Sequence, residues 1–189
     1  MLIRHAEKPL TDGPPHGVTI DGTQDPESLT PRGWQRAGAL VGLFAGRGTA
    51  PNASRLPTPT HLFASQIGPQ STSQRPRQTL VPLSDRFGLI VDSRFPKQDL
   101  DGLAAGVEQA DGVVLIAWEH HLIPALAVRL ATGLAVDPAS IPTAWPDERY
   151  DMVWVFEDAA EGRPKRFRQV PELLLAGDLA EPIPGPVSA

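Results

Sequence analysis

The 189-residue chain contains no cysteine, so disulfides, thiolate metal sites and thiol nucleophiles are all excluded. It has no apolar run approaching the roughly 18 residues of a membrane-spanning helix, so no such helix is expected. No signal peptide is read at the start either, because the polar stretch 4–9 interrupts the first apolar residues. The chain also lacks a basic excess. Its formal net charge of −5 argues against nucleic acid or an anionic membrane surface as a partner. These absences give the expectation of a cytoplasmic protein, although missing cysteine alone does not decide the compartment. What is present, 41% hydrophobic and 21% charged residues, is the composition of a soluble globular protein. The length suits a single domain spanning 1–189.

Apolar runs and punctuating residues alternate along the chain. Leu2-Ile3 reads as the end of a buried strand that delivers His5 to its carboxyl edge. Strands average about five or six residues, so the natural start is expected upstream. Residues 7–28, rich in Gly, Pro, Asp and Thr, read as a long loop at the mouth of a site. Thr30-Pro31 signals a helix start, and Trp34, Ala37, Leu40, Val41 and Phe44 follow at helical spacing to an end near Gly46 or Gly48. Gly33, Gly38 and Gly42 suggest that this helix packs closely on a sheet. Asn52-Ala53-Ser54 matches the glycosylation pattern and is read as chance.

A second strand is predicted at 61–64, ending at Ser65, and a helix over 73–87 that Pro82 should kink or split. A short strand at 89–91, a helix at 100–110 and a continuously apolar central strand at 113–118 come next. A helix at 122–130 and strands at 150–156 and 166–170 follow, before a proline-rich irregular tail from about 177. Strands alternating with helices predict a three-layer αβα sandwich with a mostly parallel sheet.

Sites in open α/β sheets gather beyond the carboxyl ends of strands. Arg4-His5, Ser65 and Glu119-His120 each stand at such an end. Arg75 falls near a helix start, where free N–H groups favour an anion. Neutral imidazole is a good nucleophile near pH 7, and guanidinium offers forked donors to phosphate oxygens. Two histidines and two arginines could therefore meet around one phosphate.

Arg4-His5, Ser65, Arg75-Pro76-Arg77-Gln78-Thr79, Glu119-His120 and Thr30-Pro31-Arg32-Gly33 occur in an order that resembles the histidine phosphatase superfamily. The resemblance runs from Ile3 to about Phe156 and implies a phosphoglycerate-mutase-like fold of the smaller, mutase-like branch. It implies a phosphohistidine on His5, a phosphate pocket of Arg4, Arg75 and His120, and no metal or other cofactor. Such a pocket suffices chemically, because phosphoryl transfer is mostly positioning and charge stabilisation. Ala6 stands where the family has glycine, Glu119 replaces the commoner glycine before the second histidine, and His121 stands where the acid-phosphatase branch has aspartate. The family's acidic proton donor lies about 25 positions beyond the second arginine, which points to Asp99, with Asp101 next. Glu7 and Glu119 are its rivals because they flank the histidines. Lys8, Ser65, Glu7 and Glu119 are the expected substrate contacts.

The leading expectation is thus a phosphomonoester hydrolase acting on a small phosphorylated substrate or a phosphoprotein. A non-catalytic phospho-ligand or protein-binding module on the same fold is the alternative, and a phosphomutase is a third. A metal-dependent hydrolase using His16, His61, His120 or His121 is disfavoured, since adjacent histidines on a strand face opposite ways. Arg77 reads as solvated, Trp118 and Trp154 as core, and Arg163, Lys165, Arg166 and Arg168 as a solvated strand edge. Fold analogy supplies no substrate.

Overall fold

The computed structural model describes residues 1–45, 52, 56–157 and 165–185. Arg163 and most of the glycosylation-like tripeptide lie outside these residues, as do Gly46 and Gly48. The apolar run after Gly112 forms the central strand, and its burial along every residue follows from neighbours on both sides and helices on both faces. In chain order the elements are β1 (Leu2–Arg4), α1 (Pro31–Phe44), β2 (His61–Ala64), α2 (Arg75–Phe87) and β3 (Val91–Asp92). These are followed by α3 (Leu100–Glu108), β4 (Val114–Trp118), α4 (Ile123–Gly133), β5 (Met152–Glu157) and β6 (Arg166–Pro171). The strands form one mixed sheet in the order β3-β2-β4-β1-β5-β6. β3, β2, β4 and β1 run parallel, whereas β5 is antiparallel to both β1 and β6.

Side chains alternate between the faces with the two-residue period of a strand. Leu2, Ile116, Trp118 and Trp154 join one core with α3 and α4. Ile3, Leu115, Ala117 and Val153 join a second core with α1 and α2. Trp118 and Trp154 are fully buried, as expected.

Several local expectations change. Pro82 does not split α2, which continues through it to Phe87. The helix gives up one backbone bond there while its face carrying Leu80 and Leu83 stays buried. The third strand is shifted to Val91–Asp92, leaving Ile90 exposed ahead of it. Of the three α1 glycines, only Gly33 lies in a close approach, and that approach is to the backbone of Glu7, not to the sheet. A side chain on Gly38 or Gly42 would meet nothing within 4 Å. No helix among the described residues is long and apolar enough to cross a membrane.

Candidate active site

Parallel pairing of β1 with β4 sets Arg4 opposite Trp118, and the His5 amide donates to the Trp118 carbonyl at 3.0 Å. His5 and Glu119 therefore leave neighbouring strands at the same level. The segment after His5 is then fastened to two helix starts. Thr79 Oγ1 accepts from the Ala6 amide at 2.9 Å and donates to the Arg75 carbonyl at 2.8 Å. Gln78 accepts from the Leu29 amide and donates to Ser28 Oγ, both at 2.8 Å. Thr30 caps α1 by accepting from the Gly33 amide at 3.1 Å, while its own amide donates to the Glu7 carbonyl at 3.0 Å. The Arg75-x-x-Gln78-Thr79 and Thr30-x-x-Gly33 patterns thus serve to hold the polypeptide around His5.

A cavity of about 440 Å³ opens beyond these strand ends. His5, Lys8, Arg75, Glu119 and His120 line it. Lys97, His121, Glu27 and the segment 69–73 complete the wall. His5 is 4% exposed, and its Nδ1 lies 2.8 Å from the Ala6 carbonyl. A carbonyl only accepts, so Nδ1 carries the proton and Nε2 keeps its lone pair. Burial foremost, then the charges of Arg4, Arg75 and His120, push its pKa down to about 3 against that hydrogen bond. The ring is neutral at physiological pH.

His120 sits in the turn after β4 with Nε2 on the Asp147 carboxylate, while its Nδ1 is buried and unpartnered. Burial, then Arg4, lower the pKa of His120 against the opposing pull of Asp147. His120 and His121 stand beside each other in that turn, ring centroids 5.4 Å apart, and both line the cavity. They do not face opposite ways, because the strand has ended before them. His16 and His61 lie elsewhere, and among the described residues no group of three or more His, Asp or Glu is arranged to hold a metal. Arg75 donates to the Pro26 carbonyl at 2.8 Å and lies 3.5 Å from Glu27, with its Nε buried and unpartnered.

Four expected residues are placed away from the cavity wall. Arg4, 1% exposed, is occupied by the segment 146–150. Its Nη1 donates to the carbonyls of Pro146, Asp147 and Arg149, its Nη2 donates to the Tyr150 hydroxyl, and its guanidinium stacks on the Tyr150 ring. Glu7 turns to Arg36, accepting from Nη2 at 2.9 Å and from Nε at 3.0 Å. Asp99 is an exposed helix cap, its carboxylate accepting from the Gly102 amide at 2.9 Å. Ser65 is buried, with an unpartnered hydroxyl that does not reach the cavity lining. Asp101 pairs with Arg129 at 2.5 Å on the surface.

Sequence reasoning missed Lys97, Asp147 and Tyr150. Lys97 reaches the wall because the Trp118 indole donates to its carbonyl at 3.2 Å, a contact between distant segments with no local signal. Asp147 and Tyr150 enter through their contacts to His120 and Arg4, which are equally long-range.

No model of a known protein family matches the chain, and no curated protein matches it.

Proposed function

We propose that the protein is a phosphomonoester hydrolase of the histidine phosphatase type, working through a phosphohistidine on His5. The observation that carries this is the state of His5: neutral, with Nδ1 tied to a carbonyl and Nε2 unprotonated, in a cavity that also holds Arg75, Lys8 and His120. The four buried side-chain polar atoms without a partner among the described residues are Arg4 Nε, Ser65 Oγ, Arg75 Nε and His120 Nδ1. Two of them, Arg75 Nε and His120 Nδ1, belong to residues that line the cavity, and since native interiors pair such groups they support binding of a polar ligand there. Phosphate oxygens suit the guanidinium and imidazole among them. The phosphoglycerate-mutase-like fold belongs to the same proposal. It is supported by helices on both faces of a mostly parallel sheet and by His5, Arg75 and His120 meeting at one end.

In the first half-reaction the Nε2 lone pair forms a bond to phosphorus as the ester P–O bond breaks. Water then attacks phosphorus, the P–N bond breaks and the pair returns to Nε2. Arg75 and Lys8 bear the charge of the equatorial oxygens, and His120 lines the same cavity. The test is hydrolysis of p-nitrophenyl phosphate in chelator, with wild type against His5→Ala. Chelator-resistant turnover that falls by at least about 10³-fold in the variant is expected, together with an acid-labile phosphoenzyme in wild type alone. Equal turnover by the two proteins refutes the proposal. One observation favours a non-catalytic phospho-ligand module instead, namely that Arg4 is committed to the segment 146–150. Such a module would bind vanadate and turn over nothing.

A further inference from the structure

The hydrolysis proposed above requires a proton for the departing alkoxide and a base for the attacking water, and Asp99 caps a helix away from the cavity. Two carboxylates line that cavity among the described residues, Glu27 and Glu119. Glu27 comes from the long loop, its side chain is 39% exposed, and it faces Arg75 at 3.5 Å. Glu119 is different. It leaves β4 one residue beyond Trp118, in register with His5 beyond Arg4, and neighbouring strands lie about 4.8 Å apart. Its residue is 8% exposed. One oxygen lies 3.5 Å from Lys97 Nζ and the other 3.5 Å from His121 Nε2. The Lys97 contact is itself built, since Trp118 holds the Lys97 carbonyl. His121, with a side chain 54% exposed, connects the carboxylate to solvent.

Resting on the phosphohistidine reading, we propose that Glu119 is the proton-carrying catalytic carboxyl of this site, acid in the first half-reaction and base in the second. As the ester P–O bond breaks and the N–P bond to His5 forms, the Glu119 carboxyl gives its proton to the leaving oxygen. The carboxylate so formed takes a proton from water while the water oxygen bonds to phosphorus and the P–N bond breaks. Each turnover then returns His5 neutral and Glu119 protonated, with ester and water converted to alcohol and phosphate. His121 exchanges protons between this carboxyl and solvent. Lys97 fixes the carboxylate in place.

The discriminating variable is the leaving group. p-Nitrophenolate departs without a proton, whereas the alkoxide of glycerol phosphate needs one. In Glu119→Gln, p-nitrophenyl phosphate should give a burst of about one nitrophenolate per protein. A steady rate at least about 10²-fold below wild type should follow, and phospho-His5 should accumulate. Glycerol phosphate should give no burst and no trapped phosphoenzyme. Glu119→Asp, which keeps the carboxyl, should restore part of both rates and remove the trapped species. Equal losses on the two esters with no phosphoenzyme trapped, or wild-type rates on both, overturn the assignment while leaving His5 in place. Should Glu119→Gln fail to fold, Glu119→Asp decides alone: a ratio of the two ester rates changed about tenfold or more in favour of the nitrophenyl ester supports the role, and a wild-type ratio overturns it. Absence of His5-dependent turnover in wild type refutes the underlying reading instead.

Discussion

At the scale of single residues, the same side-chain types do unlike work according to where their strand or helix ends. His5 and His120 both occupy the cavity, but one is a fixed tautomer and the other is paired with a carboxylate. Asp99 shows the opposite outcome, because a carboxylate at a helix start finds amides before it finds a substrate. Asp99→Ala should therefore lower stability by about 1 kcal/mol in urea unfolding while leaving kcat/KM for p-nitrophenyl phosphate unchanged. A loss of activity beyond the loss of folded protein would return Asp99 to the site. The cluster of cavity residues was partly legible in the sequence. His5, Lys8, Arg75, Glu119 and His120 line the cavity, since each is placed there by a strand end, a helix start or a neighbouring position. Arg4, Glu7 and Ser65 were not legible, because adjacency in sequence does not say which way a side chain turns once a competing partner is near.

At the scale of elements, α1 separates two uses of glycine. A Cβ on Gly33 would come within 2.7 Å of the Glu7 carbonyl oxygen, so this glycine allows the segment after His5 to lie against the helix. Gly33→Ala should cost about 1–3 kcal/mol and depress activity by displacing that segment. Gly38→Ala fills open space in a helix interior and should stabilise by up to about 1 kcal/mol, with activity intact. Parallel melts of the two variants check the pair. Helix boundaries followed from capping and apolar spacing, which are local. The continuity of α2 through Pro82 did not, because burial of its apolar face outweighs one missing backbone bond.

At the scale of the whole molecule, Arg36 ties distant parts together. From α1 it meets Glu7 behind β1 at 2.9 Å, Glu172 just beyond β6 at 2.8 Å and Asp178 of the final segment at 2.7 Å. Against the cost of burial, Glu172, Asp178 and Glu7 hold the guanidinium well above its ordinary value. Arg36→Leu leaves three clustered carboxylates without their cation and should cost about 3–5 kcal/mol, read from urea unfolding at pH 7. One cation among three acids also loads a proton onto the deepest of them. Burial, with Asp178 and Glu7 and against Arg36, raises Glu172 to about 7.

The pH dependence of stability follows from Glu172 and His5 together. His5 is held at about 3 against its ordinary 6.5, so its contribution is complete above 6.5 and is lost as pH falls toward 3. Glu172 is raised to about 7 from 4.5, so its contribution is complete below 4.5 and is lost as pH rises to 7. Each slope reaches at most about 1.4 kcal/mol per pH unit, and the two oppose each other between about 4.5 and 6.5. Below about 4.5 only the His5 slope remains of the two, so urea midpoints should fall as pH drops from about 4.5 toward 3. Glu172→Gln should expose the His5 slope throughout.

The alternation of buried runs, caps and turns was determined by the sequence alone, because backbone propensity and a two- or 3.6-residue period act over a few neighbours. That determined a layered α/β chain with His5 and His120 at strand ends. Tertiary structure alone decided the register that sets His5 beside Glu119. It also decided the engagement of Arg4 by the segment 146–150, and the burial of Arg36 among acids contributed by the segments after β1 and β6 and the final segment. Those contacts join residues up to 146 positions apart. Their geometry is fixed by packing of the two faces of the sheet, and no local pattern encodes it.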